Sequence, residues 1–196
     1  MKILEIKDLR KQYPSFLLDG VSFDVEEGSI MGFIGRNGAG KTTTIKSVLN
    51  LVHADSGTVL FEGQDLFANE TACKKKIGLV LGEFNYYKRK KLKSIAAVTK
   101  AFYEEWDEET YQTLLSRFAL DPEKKVSELS QGMRVKFALA LALSHKAKLL
   151  ILDEPTSGLD PVSRDELLDI FRDIIAPLGV TCFISKADKT PIQIKN

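Results

Sequence analysis

Short apolar segments separated by turn-forming or charged residues fill the first part of the chain, and their length is typical of β-strands. The predicted strands there are residues 3–9, 16–18, 21–25, 29–34, 57–63 and 77–81. One helix is predicted at residues 43–50, because the apolar side chains of Ile45, Val48 and Leu49 recur at helical spacing. The first part of the chain is therefore predicted to be mostly sheet.

Longer segments with helical periodicity follow, and the predicted helices are residues 92–105, 107–119 and 131–144. Residues 148–153 return to an entirely apolar strand, which is typical of a parallel sheet covered on both faces. An amphipathic helix at 161–176 and a last strand at 180–185 complete the pattern. This order predicts an α/β core with a helical insertion between two core strands.

Composition and charge are those of an ordinary globular protein of 196 residues, with 44% hydrophobic residues, 28% charged residues and a net charge of +1. This charge gives no support for nucleic acid as a partner. The longest apolar run, 137–143, is far too short to span a membrane, and the first residues lack a secretory signal. Cys73 and Cys182 have no metal-binding or redox spacing, which indicates a reducing compartment.

A glycine-rich segment between the strand at 29–34 and the helix at 43–50 carries the clearest chemical signal. Residues 35–43 read Gly-Arg-Asn-Gly-Ala-Gly-Lys-Thr-Thr, which matches the phosphate-binding pattern G-x-x-x-x-G-K-[ST]. Its glycines let backbone N–H groups point at phosphates, Lys41 adds a positive charge, and the Thr42 hydroxyl can hold Mg²⁺. The predicted ligand is a nucleoside triphosphate. Its predicted binding residues are Gly35, Asn37, Gly38, Ala39, Gly40, Lys41, Thr42 and Thr43.

Two adjacent carboxylates, Asp153 and Glu154, end the apolar strand at 148–153. The carboxyl ends of strands line the ligand crevice in open α/β sheets. Asp153 can hold Mg²⁺ there through its water shell, and Glu154 is placed to orient or deprotonate an attacking water. Two solvated acids at a strand end are the alternative.

Two further motifs make the chain similar to the ATP-binding cassette (ABC) ATPases. Residues 153–160, Asp-Glu-Pro-Thr-Ser-Gly-Leu-Asp, resemble the Walker B motif and D-loop of that family. Residues 129–133, Leu-Ser-Gln-Gly-Met, resemble its signature sequence, which is most often Leu-Ser-Gly-Gly-Gln. The resemblance covers nearly the whole chain, and it is nearest to single-cassette subunits of bacterial transporters, particularly ABC-2-type exporters.

The resemblance implies a P-loop NTPase (RecA-like) α/β core with a parallel sheet, an antiparallel β subdomain and an inserted helical subdomain. One ABC ATPase domain would span residues 1–196, with a nucleotide-binding core at 1–84 and 146–196 and a helical subdomain at 85–145. The implied function is ATP hydrolysis with Mg²⁺ that powers transport through separate transmembrane subunits. The implied location is the cytoplasmic face of the membrane, and the cargo is not predicted.

Three further residues take roles from the resemblance. Ser130 precedes an alanine- and leucine-rich helix, so it is predicted to be an N-cap in any case. In the family, this serine and the glycine here at Gly132 contact ATP on a second cassette subunit, in a head-to-tail dimer that encloses two ATP molecules. Tyr13 occupies the position of an aromatic side chain that stacks on adenine, and ordinary packing at a strand end is its alternative.

The resemblance fails at two places. The family usually has a Mg²⁺-binding glutamine after the strand that corresponds to 77–81, but here Gly82 takes that place and Glu83 follows. An oxygen of Glu83 is a candidate Mg²⁺ ligand, and a surface acid without a ligand is the equal alternative. The family also has a switch histidine after its last core strand, whereas here 180–185 are followed by Lys-Ala-Asp.

Neither histidine of the chain matches the switch position, and both His53 and His145 are predicted to be surface residues. Residues 186–196 lack a helical pattern where family members continue, which we interpret as a truncated or altered C-terminus. We therefore expect ATP binding to survive and hydrolysis to be weak.

Two other classes of function stay open at this point. An ATP-binding regulatory protein with little hydrolysis would also lack the switch histidine, and a comparison of ATP affinity with turnover would separate it from a transport subunit. A soluble ABC protein of DNA repair or translation is disfavoured, because coiled-coil arms, a second cassette and basic character are missing.

Overall fold

Two four-stranded sheets form the framework of residues 1–81 and 87–186, which are the residues that the computed structural model describes. The first sheet is antiparallel, with the strand order β2-β1-β4-β5. Its strands are β1 (Lys2–Tyr13), β2 (Phe16–Glu26), β4 (Ser56–Phe61) and β5 (Gln64–Asp65). The antiparallel part that the family resemblance implied is therefore present.

A bulge in β2 explains why two separate strands were predicted at residues 16–18 and 21–25. Leu18 pairs with Lys11 and Val21 pairs with Leu9, so two intervening residues of β2 oppose one residue of β1. Gly20 lies in this bulge with φ at 64°, in the left-handed region that favours glycine. The interruption in the sequence pattern is a local irregularity of one continuous strand.

The second sheet is parallel, with the strand order β3-β8-β7-β6. Its strands are β3 (Ile30–Ile34), β6 (Ile77–Leu81), β7 (Leu149–Asp153) and β8 (Thr181–Lys186). All five residues of β7 are buried, in agreement with the predicted strand covered on both faces. Because the strands are parallel, their carboxyl ends meet at one edge, where Asp153 is in register with Leu81 and Ser185.

Helices connect these strands, and three of the six α-helices in the described residues lie between β6 and β7. The six are α1 (Lys41–Val48), α2 (Glu70–Lys74), α3 (Leu92–Phe102), α4 (Glu108–Arg117), α5 (Gln131–Ser144) and α6 (Pro161–Ile170), and α6 continues into a π-helical turn at Phe171–Ile175. The short α2 was not predicted. In the described part of the chain, no helix is long and apolar enough to cross a bilayer.

Two hydrophobic clusters cover the two faces of the parallel sheet. Leu149, Ile151 and Phe183 belong to the cluster shared with the antiparallel sheet and α1. Leu150 and Leu152 belong to the cluster shared with the helices α3, α4 and α5. The helices between β6 and β7 therefore pack against the sheet through a common core, and the assignment of residues 85–145 to a separate helical subdomain stays a prediction.

Glu108, in the first turn of α4, accepts three side-chain hydrogen bonds. The donors are Gln112, Lys100 and the indole of Trp106, each at 2.9 Å. These hydrogen bonds, led by the one from Gln112, lower the pKa of Glu108 to about 2. Trp106 is the single tryptophan of the chain, so its fluorescence reports on this contact.

His145 is buried, so the prediction that it lies on the surface was wrong. Only 6% of the residue is exposed, and its ring stacks on that of Tyr103 with centroids 3.9 Å apart. Lys146 has φ at 58°, so the chain turns directly after His145. Burial lowers the pKa of His145. His53 is exposed, as predicted.

Candidate functional site

The glycine-rich loop joins β3 to α1, and its shape depends on Gly40. This residue has φ at 94°, which side-chain-bearing residues rarely adopt. A Cβ atom there would also lie 2.8 Å from Cζ of Phe16 and 3.0 Å from Cδ1 of Leu18. Gly40 is also the N-cap of α1 and has no side chain, so no N-cap side chain accepts the N-terminal N–H groups of this helix.

Lys41 is a buried cation, with 6% of the residue exposed. Its Nζ atom donates hydrogen bonds to the carbonyl oxygens of Gly35 at 2.8 Å and Arg36 at 3.1 Å. The same atom lies 3.2 Å from Oε1 of Glu154, at the end of β7. The loop and the strand end are thereby linked by an ion pair, and a buried charge of this kind requires such partners.

Asp153 is held by hydroxyl groups on both sides of its carboxylate. Oγ1 of Thr42 donates to Oδ2 at 2.7 Å, and Oγ of Ser185 donates to Oδ1 at 2.5 Å. Only 7% of Asp153 is exposed. The predicted convergence of Thr42, Lys41, Asp153 and Glu154 is therefore present in the geometry, although their chemical roles stay predictions.

These residues line one pocket with a volume of about 900 Å³, which is a typical size for a small-molecule site. Gly35 and Ala39 belong to the same loop, where the N–H group of Ala39 donates to the carbonyl of Arg36 at 3.1 Å. The lining residues are Phe16, Asn37, Gly38, Gly40, Lys41, Thr42, Thr43, Lys46, Leu81, Gln131, Asp153, Glu154 and Ser157.

Phe16 is an aromatic side chain on the pocket wall, and it was not among the predicted site residues. Tyr13, the predicted aromatic residue, pairs with Phe16 across the turn between β1 and β2, and their ring centroids are 6.5 Å apart. The ammonium of Lys11 lies 5.7 Å from the Tyr13 ring. In the sequence, the only sign of Phe16 as a site residue was that it lies three residues after Tyr13. The base-stacking role of Tyr13 stays a prediction.

Ser130 is the N-cap of α5, as predicted: its Oγ atom accepts a hydrogen bond from the N–H group of Met133 at 3.2 Å. Gly132, on the first turn, packs against α6, because a Cβ atom there would lie 3.3 Å from Cβ of Ser163. Asp160 caps α6 by accepting hydrogen bonds from the Ser163 N–H group at 3.0 Å and the Ser163 hydroxyl at 2.7 Å. Contact of Ser130 and Gly132 with a second subunit's ATP stays a prediction.

The remaining predicted features either fall outside the described residues or do not line the pocket. Glu83, the candidate Mg²⁺ ligand, and the position after β8 where the family has its switch histidine are outside the described residues. His53 and His145 do not line the pocket. The two cysteines are unbridged and buried, and burial raises the pKa of the Cys182 thiol to about 12.

The ABC transporter family matches residues 18–157 of the chain. Because this match covers more than half of the sequence, the chain belongs to the ABC transporter family and corresponds to its ATP-binding domain. The α/β framework of parallel and antiparallel sheets agrees with the predicted P-loop NTPase fold.

Two relatives show how similar the chain is to members of the family. It is 30% identical over 184 residues to the ABC transporter ATP-binding protein YtrB of Bacillus subtilis, which covers 93% of this chain and 63% of that protein. It is 33% identical over 186 residues to the bacitracin transport ATP-binding protein BcrA of Bacillus licheniformis, which covers 93% of this chain and 61% of that protein. The chain thus spans about three fifths of the length of these curated relatives.

A solved structure described as the ATP-binding subunit of an ABC transporter has a similar fold. The TM-score is 0.81 at 28% sequence identity, and the alignment covers 94% of this chain and 79% of that one. The names of these relatives do not favour the regulatory alternative.

Proposed function

We propose that this chain binds ATP together with Mg²⁺, hydrolyses the ATP, and thereby powers transport through a separate membrane subunit. The observation that carries the proposal is the convergence of the glycine-rich loop with the end of β7. Lys41 lies 3.2 Å from Glu154, and Thr42 lies 2.7 Å from Asp153. Groups suited to phosphate, metal and water therefore lie within one pocket.

The loop and the first turn of α1 bind the phosphate chain. Backbone N–H groups at a helix N-terminus attract an anion, and the N-cap residue of α1, Gly40, has no side chain that competes for them. Lys41 donates hydrogen bonds to the carbonyl oxygens of Gly35 and Arg36, and phosphate oxygens can replace these acceptors. Because Lys41 is buried, its attraction to phosphate is weakened little by solvent.

Thr42 and Asp153 are suited to hold Mg²⁺ beside the phosphates. Mg²⁺ prefers oxygen ligands and usually takes one or two from protein and the rest from phosphate and water. The Thr42 hydroxyl and the Asp153 carboxylate lie 2.7 Å apart, so both can supply oxygens to one ion. When bound, Mg²⁺ neutralises negative charge on the phosphates.

Glu154 orients the attacking water and accepts its proton. Its carboxylate lies next to the phosphate-binding Lys41, so a water between this carboxylate and the γ-phosphate can donate to one and attack the other. The sequence has no histidine after β8, where ABC ATPases have their switch residue. We therefore expect the chain to bind ATP but to hydrolyse it slowly.

A second cassette subunit completes the site in this proposal. The N-terminus of α5 carries Ser130 and Gly132. A helix N-terminus is suited to a phosphate, so α5 of one copy can contact the ATP bound by another copy. This gives a head-to-tail dimer with two ATP molecules.

A membrane subunit is the proposed partner of the surface around α3, at the cytoplasmic face of the membrane. Val98 and Phe102 lie one helical turn apart, and their exposed fractions are 61% and 70%. Tyr87, shortly before α3, is 78% exposed. Val98 and Phe102 therefore form a small exposed apolar patch, which supports an interaction surface on α3.

ATP binding and phosphate release by the purified protein test this proposal. Glu154→Gln should retain ATP affinity and lose hydrolysis, because the amide cannot accept the proton of water. Lys41→Ala should lose at least about tenfold in affinity, since a charge-assisted hydrogen bond contributes about 1.5–3 kcal/mol. The exposed Glu105 gives the control Glu105→Gln, which should change neither quantity.

Two results would contradict the proposal. Unchanged ATP affinity in Lys41→Ala would place the phosphates elsewhere. Hydrolysis by Glu154→Gln at the wild-type rate would remove Glu154 from the reaction. Wild-type turnover as fast as that of a cassette with a switch histidine would refute only the expectation of slow hydrolysis.

A further inference from the structure

Ser185 lies near the end of β8, directly beside the two acids at the end of β7. The strands are parallel, and Ser185 is the register partner of Asp153. The residue is fully buried, with 0% exposed. A polar side chain in such a position requires hydrogen-bond partners, and those of Ser185 are the residues of the proposed reaction.

The hydroxyl of Ser185 hydrogen-bonds to both Asp153 and Glu154, as a donor to one and an acceptor from the other. Its single proton is donated to Oδ1 of Asp153 at 2.5 Å. Its oxygen accepts the backbone N–H group of Glu154 at 3.0 Å. Because a hydroxyl has one proton and free lone pairs, both bonds can exist together, and the bond to Glu154 favours the orientation that donates to Asp153.

The Asp153 carboxylate has two oxygens, and each is held by a different element. Ser185 on β8 holds Oδ1, while Thr42 on α1 holds Oδ2 at 2.7 Å. Rotation of the carboxylate would break one or both bonds. The oxygen that faces Thr42, and hence the proposed metal, is fixed by the bond that Ser185 makes to the other oxygen.

The backbone of Glu154 also depends on Ser185. Glu154 has φ at 47°, in the left-handed region that is strained for a residue with a side chain. Its N–H group donates to both Oγ of Ser185 at 3.0 Å and the carbonyl oxygen of Ser185 at 3.2 Å. This conformation directs the Glu154 carboxylate to Lys41, 3.2 Å from its Nζ atom.

We propose that Ser185 is a positioning residue that sets the metal-facing carboxylate of Asp153 and the water-facing carboxylate of Glu154 at the same time. This inference rests on the proposed function, since it assumes that Asp153 holds Mg²⁺ and that Glu154 acts on water. Ser185 touches neither the nucleotide nor the metal in this role. A purely structural hydroxyl would affect stability without affecting the metal.

Ser185→Ala tests the proposal, and Thr181→Val is its matched control. Thr181 is also fully buried on β8, and its hydroxyl accepts the N–H group of Gly28 at 2.9 Å, away from the acids. The binding of a fluorescent ATP analogue is measured as Mg²⁺ is added and again in EDTA, together with phosphate release and thermal unfolding.

In Ser185→Ala we expect the Mg²⁺ concentration at half-saturation to rise about 10-fold or more, as when a residue that supports a metal ligand is removed. Affinity in EDTA should stay within about twofold, and kcat should fall with KM nearly unchanged. Ser185→Thr, which keeps the hydroxyl, should recover most of both losses. Thr181→Val should lower only the unfolding temperature.

A wild-type Mg²⁺ midpoint in folded Ser185→Ala would overturn the inference, and so would an equal shift in Thr181→Val. If Ser185→Ala does not fold, Ser185→Cys replaces the hydroxyl by a weak donor, and a midpoint within about threefold of wild type would overturn the inference. If wild type and Asp153→Asn bind the analogue equally with and without Mg²⁺, the metal part of the proposed function fails, and this inference fails with it.

Discussion

Gly78 lies where the parallel sheet packs closely against a helix, and its replacement by alanine tests this packing directly. The residue lies in β6, is buried, and has no positive φ. Glycine is therefore needed here because there is no room for a side chain, and not because of the backbone conformation. A Cβ atom at Gly78 would lie 2.6 Å from Cβ of Ala142 on α5 and 2.6 Å from Cδ2 of Leu150 on β7.

The size of the effect follows from these distances. Ordinary contacts begin at 3.4 Å, so each contact is about 0.8 Å too short. Leu150 can adjust its side chain, but Cβ of Ala142 is fixed to the helix backbone, so α5 must move away from β6. Such overpacking costs about 1–3 kcal/mol, and the lower entropy of the unfolded alanine chain offsets up to about 1 kcal/mol.

From the middle of that cost, about 2 kcal/mol, the offset leaves a net loss of about 1–2 kcal/mol, which corresponds to a fall in unfolding temperature of about 2–8 °C for a chain of this length. Thermal unfolding by circular dichroism measures it. Gly32→Ala, in β3, is the control, because a Cβ atom there approaches only one side-chain atom, at 4.0 Å. An unfolding temperature for Gly78→Ala equal to or above that of wild type would refute the packing argument, as would an equal fall in Gly32→Ala.

Two further predictions concern the pocket wall and the pH dependence of stability. Phe16→Ala should weaken ATP affinity about 2–12-fold, which is the equivalent of one aromatic stacking contact. The control is Leu17→Ala, which replaces a neighbouring residue that is 48% exposed and should leave ATP affinity unchanged. Equal affinities for wild type and Phe16→Ala would exclude contact of Phe16 with the base. Glu108 should stabilise the fold above its unfolded pKa of 4.5, and this contribution should disappear as the pH falls through its folded pKa of about 2. Urea unfolding followed by Trp106 fluorescence should therefore show that Glu108→Gln is less stable than wild type at pH 7. The difference should be less than about 1 kcal/mol, because the Glu108 side chain is half exposed. Glu109→Gln is the control, and a difference between Glu108→Gln and wild type that persists or grows below pH 2 would contradict the argument.

The sequence predicted those parts of the site that depend on local chemistry. The glycine-rich loop, the acids after β7 and the cap at Ser130 each combine a residue type with its immediate neighbours along the chain. Such signals are visible in a sequence because the partners lie within a few residues. The parallel sheet was also predictable from a local pattern, because the entirely apolar segment at residues 148–153 is typical of a strand covered on both faces.

Contacts between distant residues were not predictable in this way. Ser185 meets Asp153 across 32 residues, and a serine at the end of an apolar strand gives no sign of that partner. His145 was misplaced because its cover, the ring of Tyr103, comes from a different segment. Phe16 was assigned only to a strand, since its place on the pocket wall depends on the position of the loop around Gly40.

Because the ammonium of Lys41 is buried, the stability of the folded protein depends on the concentration of the ligand that binds there. A site that gathers one buried cation and two acids gives up stability that an apolar core would provide. On the proposed function, ATP at 100 times its Kd would stabilise the fold by about 2.7 kcal/mol. A cell depleted of nucleotide would then hold a larger unfolded fraction of this protein, so its abundance would follow the energy state of the cell.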